Sequence, residues 1–84
     1  MKIYNIIDKQ EYDLRVVDNA MTENDVIGFA FELIKDRAEN AEPNDEWVNE
    51  DLAPIVEKGK DNLTFEQSKY WLEEWWEYGV EESI

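Results

Sequence analysis

The 84-residue chain has no cysteine, no histidine, three glycines and two prolines. It therefore lacks the commonest general base, the commonest transition-metal ligands and the thiolate nucleophile. Its two serines, Ser68 and Ser83, do not stand in a nucleophile-elbow sequence. The dispersed glycines form no phosphate-binding loop, and no window has the ligand spacing of an EF-hand. We expect neither an enzyme nor a cofactor or dedicated metal site.

Long apolar runs are also missing. After Met1 and Lys2 the first apolar stretch ends at Asp8, which is too short for the core of a signal peptide. No segment approaches the roughly 20 apolar residues of a membrane span. The absence of cysteine fits a reducing compartment. These observations predict a cytoplasmic protein.

Basic residues are scarce. Eight Lys and Arg oppose 22 Asp and Glu, so the net charge is −14. Residues 39–84 alone hold 14 acidic residues against Lys58, Lys60 and Lys69. Direct binding to DNA, RNA or an anionic membrane requires a basic surface, so these ligands are excluded. The charge favours a basic partner protein or cations.

The first half of the chain predicts a β-hairpin over residues 1–18. Residues 2–7 are rich in β-branched and aromatic types, and residues 12–17 alternate, with Tyr12, Leu14 and Val16 on one face. The polar residues 8–11 suit the loop between them. A two-stranded hairpin is marginal in water, so a helix must cover it or another strand must join it.

A helix is predicted over residues 22–38, with Thr22 as its N-cap and Asp25 completing a capping box. Its apolar residues fill an arc of about 200°, which is too wide for a surface helix. We therefore expect a central helix that packs on more than one side.

Residues 44–58 predict a kinked or split helix, because Pro54 falls inside a helical pattern and Gly59 can end it. A last helix is predicted over residues 64–79, from the capping box of Thr64 and Gln67 to Gly79. The fold class is therefore α+β: a single domain in which a small antiparallel sheet is covered by about three helices.

On the wheel of this last helix, aromatic and acidic residues occupy opposite faces. The apolar face contains Trp71, Trp75 and Trp76. We expect Trp75 in the core, whereas Trp71 and Trp76 are either core residues or interface anchors. The opposite face carries the predicted partner-binding residues, which continue into the preceding segment: Glu66, Tyr70, Glu73, Glu74 and Glu77, with Glu46, Glu50 and Asp51.

Such a face is often no more than a solvated surface. Here, however, like charges at i,i+3 and i,i+4 destabilise the predicted helix, and few basic residues offset them. In size, charge and lack of cysteine the chain resembles small acidic proteins of phages and mobile elements that block restriction or CRISPR nucleases. The resemblance implies a DNA mimic that occupies the basic cleft of a nuclease, but it includes no motif from which a residue's role can be transferred.

Two alternatives stay open. One is an immunity protein or antitoxin that covers a basic toxin. The other is a bacterial or phage domain that forms a homodimer or larger homo-oligomer through its aromatic face or sheet edge, with its acidity serving solubility.

Overall fold

A computed structural model describes residues 2–9 and 15–83. Three strands and three α-helices occur in this part of the chain: β1 (Ile3–Asp8), β2 (Arg15–Met21), α1 (Glu23–Glu39), α2 (Ala53–Lys58), α3 (Phe65–Glu74) and β3 (Tyr78–Ser83). A π-helical segment, Val48–Leu52, leads directly into α2, and a 3₁₀ turn, Lys60–Asn62, follows it. The α+β fold class predicted from the sequence is confirmed.

The sheet has the order β2-β1-β3, and both pairings are antiparallel. Strand β1 lies in the centre, where Ile6 is fully buried opposite Val80 of β3. A third strand therefore joins the predicted hairpin, and helices also cover it. Both additions bury apolar surface that two strands alone would leave in water.

The predicted helix over residues 64–79 is wrong at its C-terminal end. Helix α3 ends at Glu74, and Tyr78–Ser83 forms β3. Gly79, which was expected to stop the helix, lies in the strand opposite Ile7. The pairing of β3 with β1 runs through six consecutive residue pairs without a bulge, and it satisfies backbone groups that a longer helix would have left unpaired on β1.

The second strand, predicted at residues 12–17, extends beyond its predicted end. Asp8, predicted in the loop, is the last residue of β1, and β2 continues to Met21. Tyr12 and Leu14 lie outside the described residues, whereas Val16 is 49% exposed. The β1–β2 pairing contains two register shifts, and Ala20 has a φ of 55°. These irregularities let Met21 reach the core opposite Tyr4.

Helix α1 begins as predicted. The Thr22 Oγ1 accepts a hydrogen bond from the Asp25 N–H at 3.2 Å, and an Asp25 carboxylate oxygen accepts one from the Thr22 N–H at 3.0 Å. The helix contributes to two buried clusters, which explains its wide apolar arc. The sheet core contains Tyr4, Ile6, Met21, Val26, Ala30, Leu72 and Val80, and the helical core contains Ile34, Val48, Leu52 and Leu63.

Residues 44–58, predicted as a kinked or split helix, contain one unbroken helical run over residues 46–58, in which the π-helical segment passes directly into α2, so the alternative of two separate helices is wrong. Pro54 is the second residue of α2 and has no N–H to donate to the preceding π-helical turn, in which the Ala53 N–H donates to the Val48 carbonyl. Gly59 caps this helix with a φ of 90°, a conformation that favours glycine. The capping box of Thr64 and Gln67 opens α3. No helix within residues 2–9 and 15–83 has the length and apolar character needed to cross a bilayer.

Candidate partner-binding surface

Four aromatic rings form a continuous ladder on the surface of the helical half. Trp47 and Trp75 stack face to face, with centroids 4.6 Å apart and planes 8° apart. Trp75 also contacts Trp71 at 5.5 Å, and Trp71 meets Tyr70 edge to face at 5.5 Å. We call these four residues the aromatic ladder. Three of them are exposed: Trp47 by 37%, Trp75 by 45% and Tyr70 by 54%.

The end of α3 decides which rings reach solvent. Trp71, together with Trp76, packs against the helical core. Trp75 caps the helix: its N–H donates to the Trp71 carbonyl at 3.0 Å. The prediction that Trp75 is a core residue is wrong, because it assumed a helix that continues to residue 78. The expected exposure of Tyr70 is confirmed.

Arg37 of α1 adds a cation to this surface. Its guanidinium carbon lies 5.5 Å from the ring centroid of Trp47, and it forms a 3.6 Å ion pair with Asp45. Together with Trp47, Trp75 and Trp76 it lines a depression of about 190 Å³. A guanidinium over an indole face gains cation–π attraction.

Five predicted acidic residues flank the ladder. Glu46 immediately precedes Trp47, and Glu50 and Asp51 follow it by about one helical turn. Glu73 and Glu74 follow Tyr70 by three and four residues, about one turn of α3. The Trp47–Trp75 stack thus joins two acidic segments that are far apart in sequence. We call the ladder and its acidic flank, Glu46, Glu50, Asp51, Glu73 and Glu74, the aromatic–acidic surface.

Two of the predicted acidic residues remain, Glu66 and Glu77. Glu66 is in the first turn of α3, beside Phe65, whose ring lies 4.7 Å from that of Tyr4. Burial raises the pKa of the Tyr4 hydroxyl, and the negative charges of Glu23, Glu82 and Glu66 raise it further. Glu66 therefore contributes to the negative surroundings of Tyr4, and it lies one turn of α3 before Tyr70.

Glu77 is not part of a helix. Its φ of 56° reverses the chain between α3 and β3, and its carbonyl accepts a hydrogen bond from the Lys9 N–H at 3.1 Å. The predicted helical pairs of Glu77 with Glu73 and Glu74 do not form. The acidic helix face predicted from the sequence is therefore wrong at Glu77, whereas Glu66, Tyr70, Glu73 and Glu74 all lie on α3 and are exposed.

The predicted carboxylates are exposed and lack compensating charge. All seven are solvent-exposed, and none forms an ion pair with another residue in the described ranges. The same ranges contain no group of three or more carboxylates arranged to hold a metal ion. The sequence interpretation missed Arg37 and Trp47. No local pattern marks them, because their contacts join segments from different parts of the chain.

No protein-family model, curated protein or solved structure matches this chain significantly. The chemistry available to the surface is recognition by charge and by aromatic contact. Unpaired carboxylates attract Lys and Arg, and exposed indole faces accept guanidinium groups and apolar side chains.

Proposed function

We propose that this chain is a small cytoplasmic inhibitor that binds a basic protein through the aromatic–acidic surface. The partner we infer is a nuclease, whose nucleic-acid cleft the chain occupies as a DNA mimic. One observation supports the proposal above the others. An exposed ladder of aromatic rings is flanked by five carboxylates that have no ion-pair partner among the described residues.

The charge suits such a cleft in sign. The longest dimension of the molecule is 42 Å and its net charge is −14. This corresponds to about one net charge per 3 Å, roughly half the density of duplex DNA, which carries one charge per about 1.7 Å. Charge of this density steers encounter with a basic cleft and makes the association weaken as salt is added.

The ladder adds short-range affinity that charge alone lacks. Trp and Tyr are enriched among residues that dominate binding energy, because each buries a large area with few rotatable bonds. Trp75 and Tyr70 are exposed although Trp71 anchors them to the helical core. A pre-ordered aromatic surface loses little conformational entropy on binding.

The ladder also favours a second candidate function, an immunity protein or antitoxin that covers one basic toxin. DNA presents no protruding apolar anchors on its backbone, whereas a dedicated inhibitor needs anchors that fit one partner. The two functions differ in breadth. A mimic inhibits several nucleases through charge, and a dedicated inhibitor recognises one partner chiefly through its ladder.

Competition with DNA tests the proposal. A fluorescein-labelled 30-base-pair duplex is bound to each nuclease of a panel that includes restriction endonucleases, guide-loaded Cas9 and basic nuclease toxins. Fluorescence anisotropy then follows displacement by this chain at 50 mM and 300 mM NaCl. We expect displacement from at least one nuclease, and weaker displacement at the higher salt concentration.

Two variants with equal net charge locate the site. The first replaces the five flanking carboxylates by their amides: Glu46, Glu50, Asp51, Glu73 and Glu74. The control neutralises five exposed carboxylates elsewhere: Glu39, Glu57, Asp61, Glu81 and Glu82. We expect the first variant to displace the duplex at least tenfold more weakly than the control.

Each contrary result has a definite meaning. Equal loss in both variants would show that total charge, not this surface, drives binding. Loss caused by Trp47→Ala or Trp75→Ala, with little effect of the amides, would support the dedicated inhibitor. Failure to displace DNA from every nuclease at low salt would refute the mimic.

A further inference from the structure

A second surface lies between β2 and α1. It is an open groove of about 540 Å³, bounded on one side by residues 18–21 of β2. The other side is a single stripe along α1, formed by Asp25, Gly28, Phe29, Glu32, Leu33 and Asp36. We call this the α1–β2 groove. It shares no residue with the aromatic–acidic surface.

The groove is apolar inside and acidic around its margin. Met21, Phe29 and Leu33 provide its apolar residues, and they belong to or pack against the sheet core. Its charged residues are all carboxylates, contributed by Asp18, Asp25, Glu32 and Asp36. An apolar strip between carboxylates is complementary to a segment that carries apolar side chains flanked by Lys or Arg.

Lys60 shows how a cation is accommodated beside the groove. Its Nζ lies 3.2 Å from the position that a Cβ on Gly28 would occupy. The charge of Lys60 also contributes to a lowered pKa of the Asp25 carboxyl, after the hydrogen bonds from Thr22. A lysine from another part of the chain thus already approaches the α1 stripe where glycine leaves space.

We propose that the α1–β2 groove binds an amphipathic, basic α-helix of a partner protein. The stripe on α1 spans residues 25–36, or about 16 Å, which matches roughly three turns of a helix lying alongside. An added β-strand suits the groove less well. The β1–β2 pairing is irregular, and the positive φ of Ala20 bends the strand where a new neighbour would have to pair.

Charge excludes a second copy of this chain as the occupant. The net charge is −14, and the exposed helical surfaces carry few basic residues to meet the four carboxylates. Like charges brought together across an interface cost free energy. The α1–β2 groove is a binding site separate from the proposed function, because peptide binding to it can be measured independently of the aromatic–acidic surface.

Three synthetic 16-residue peptides test the inference by fluorescence anisotropy in 150 mM NaCl. The first places Leu at i, i+3, i+4 and i+7 with Lys on the flanks. The second has the same composition in an order that destroys the apolar face, and the third replaces Lys by Glu. We expect saturable binding of the first peptide, with a Kd at least tenfold lower than that of the second and no binding of the third.

Variants of the protein locate the binding site. Glu32→Lys with Asp36→Lys reverses two exposed charges of the groove, and Glu57→Lys with Glu81→Lys makes the same charge change elsewhere. We expect the first pair to weaken binding about tenfold, since two exposed ion pairs become repulsive, and the second pair to change it less than threefold.

Two further variants complete the design. Gly28→Leu fills the groove where only the tip of Lys60 is close, and we expect it to abolish binding while circular dichroism shows the fold intact. Trp75→Ala should bind the peptide normally, so failure of the groove and failure of the aromatic–acidic surface are distinguishable. Equal binding of the first two peptides, equal loss in both charge-reversed variants, or no binding at all would overturn the inference.

Discussion

The Trp47–Trp75 stack makes a quantitative prediction about the helical half of the molecule. It is a contact between a residue that precedes the π-helical segment and the C-cap of α3. The rings are nearly parallel and 4.6 Å apart, whereas more than a third of each side chain is exposed. We therefore expect the stack to stabilise the junction without behaving as a deep core contact.

The magnitude follows from the geometry. Removing a fully buried aromatic side chain costs about 3–5 kcal/mol. Because Trp75 is 45% exposed, we expect Trp75→Ala to lower the free energy of unfolding by about 2 kcal/mol. An aromatic pair contributes about 0.5–1.5 kcal/mol beyond its buried area, so the coupling between Trp47 and Trp75 should be about 1 kcal/mol.

A double-mutant cycle measures this coupling. Urea denaturation of Trp47→Ala, Trp75→Ala and the double variant is followed by circular dichroism, with m-values compared to confirm two-state behaviour. The control cycle combines Trp47→Ala with Val17→Ala, an exposed position on β2. These changes should be additive within about 0.5 kcal/mol.

Two results would refute the reasoning. A Trp47–Trp75 coupling indistinguishable from that of the control cycle would mean that the rings do not stabilise each other. A loss above about 4 kcal/mol for Trp75→Ala would mean that the side chain is buried in solution. The second result would also remove Trp75 from the aromatic–acidic surface as an exposed anchor.

Three further predictions concern local elements. Gly28→Ala should raise the free energy of unfolding by up to about 1 kcal/mol in urea, because alanine is the better helix former and the nearest atom is the flexible tip of Lys60; a loss would show that Lys60 cannot move aside. Thr64→Ala should cost about 1 kcal/mol by removing the N-cap of α3, and Thr64→Ser should restore most of it. The pKa of Asp25 is lowered, chiefly by hydrogen bonds from Thr22. The stabilisation of the fold by the ionised Asp25 carboxylate should therefore be complete above pH 3.8, the usual pKa, and should be lost as pH falls through the lower folded-state pKa. The stability difference between the wild type and Asp25→Asn should shrink below about pH 4 in urea titrations, and a constant difference would contradict the assignment.

The elements with strong local signals were predictable. Capping boxes define the starts of α1 and α3 through contacts between residues three apart, and these contacts form as expected. Pro54 and Gly59 act through backbone restrictions that are local as well. The packing of α1 against two cores was also predictable from its wide apolar arc, because a helix buried on two sides needs apolar residues on both sides.

The end of α3 was not predictable from the same signals. The residues from Trp75 to Tyr78 continue a plausible amphipathic pattern, and Gly79 resembles a helix stop. The pairing of β3 with β1, whose paired residues are 70 to 80 positions apart in sequence, competes with that local preference. Because the pairing buries Val80 and completes the sheet, tertiary structure overrides helix propensity there.

The acidic surface also depends partly on composition and partly on tertiary contacts. The number of carboxylates and their excess over basic residues depend on composition alone, so our proposal of a basic partner follows from the composition. Which carboxylates lie together depends on tertiary structure. Folding removes Glu77 from the helix that carries Glu73 and Glu74, and the Trp47–Trp75 stack brings the end of that helix to Trp47, beside Glu46. That arrangement depends on the chain reversal at Glu77 and on ring contacts between distant segments, and neither leaves a periodic signal in the sequence.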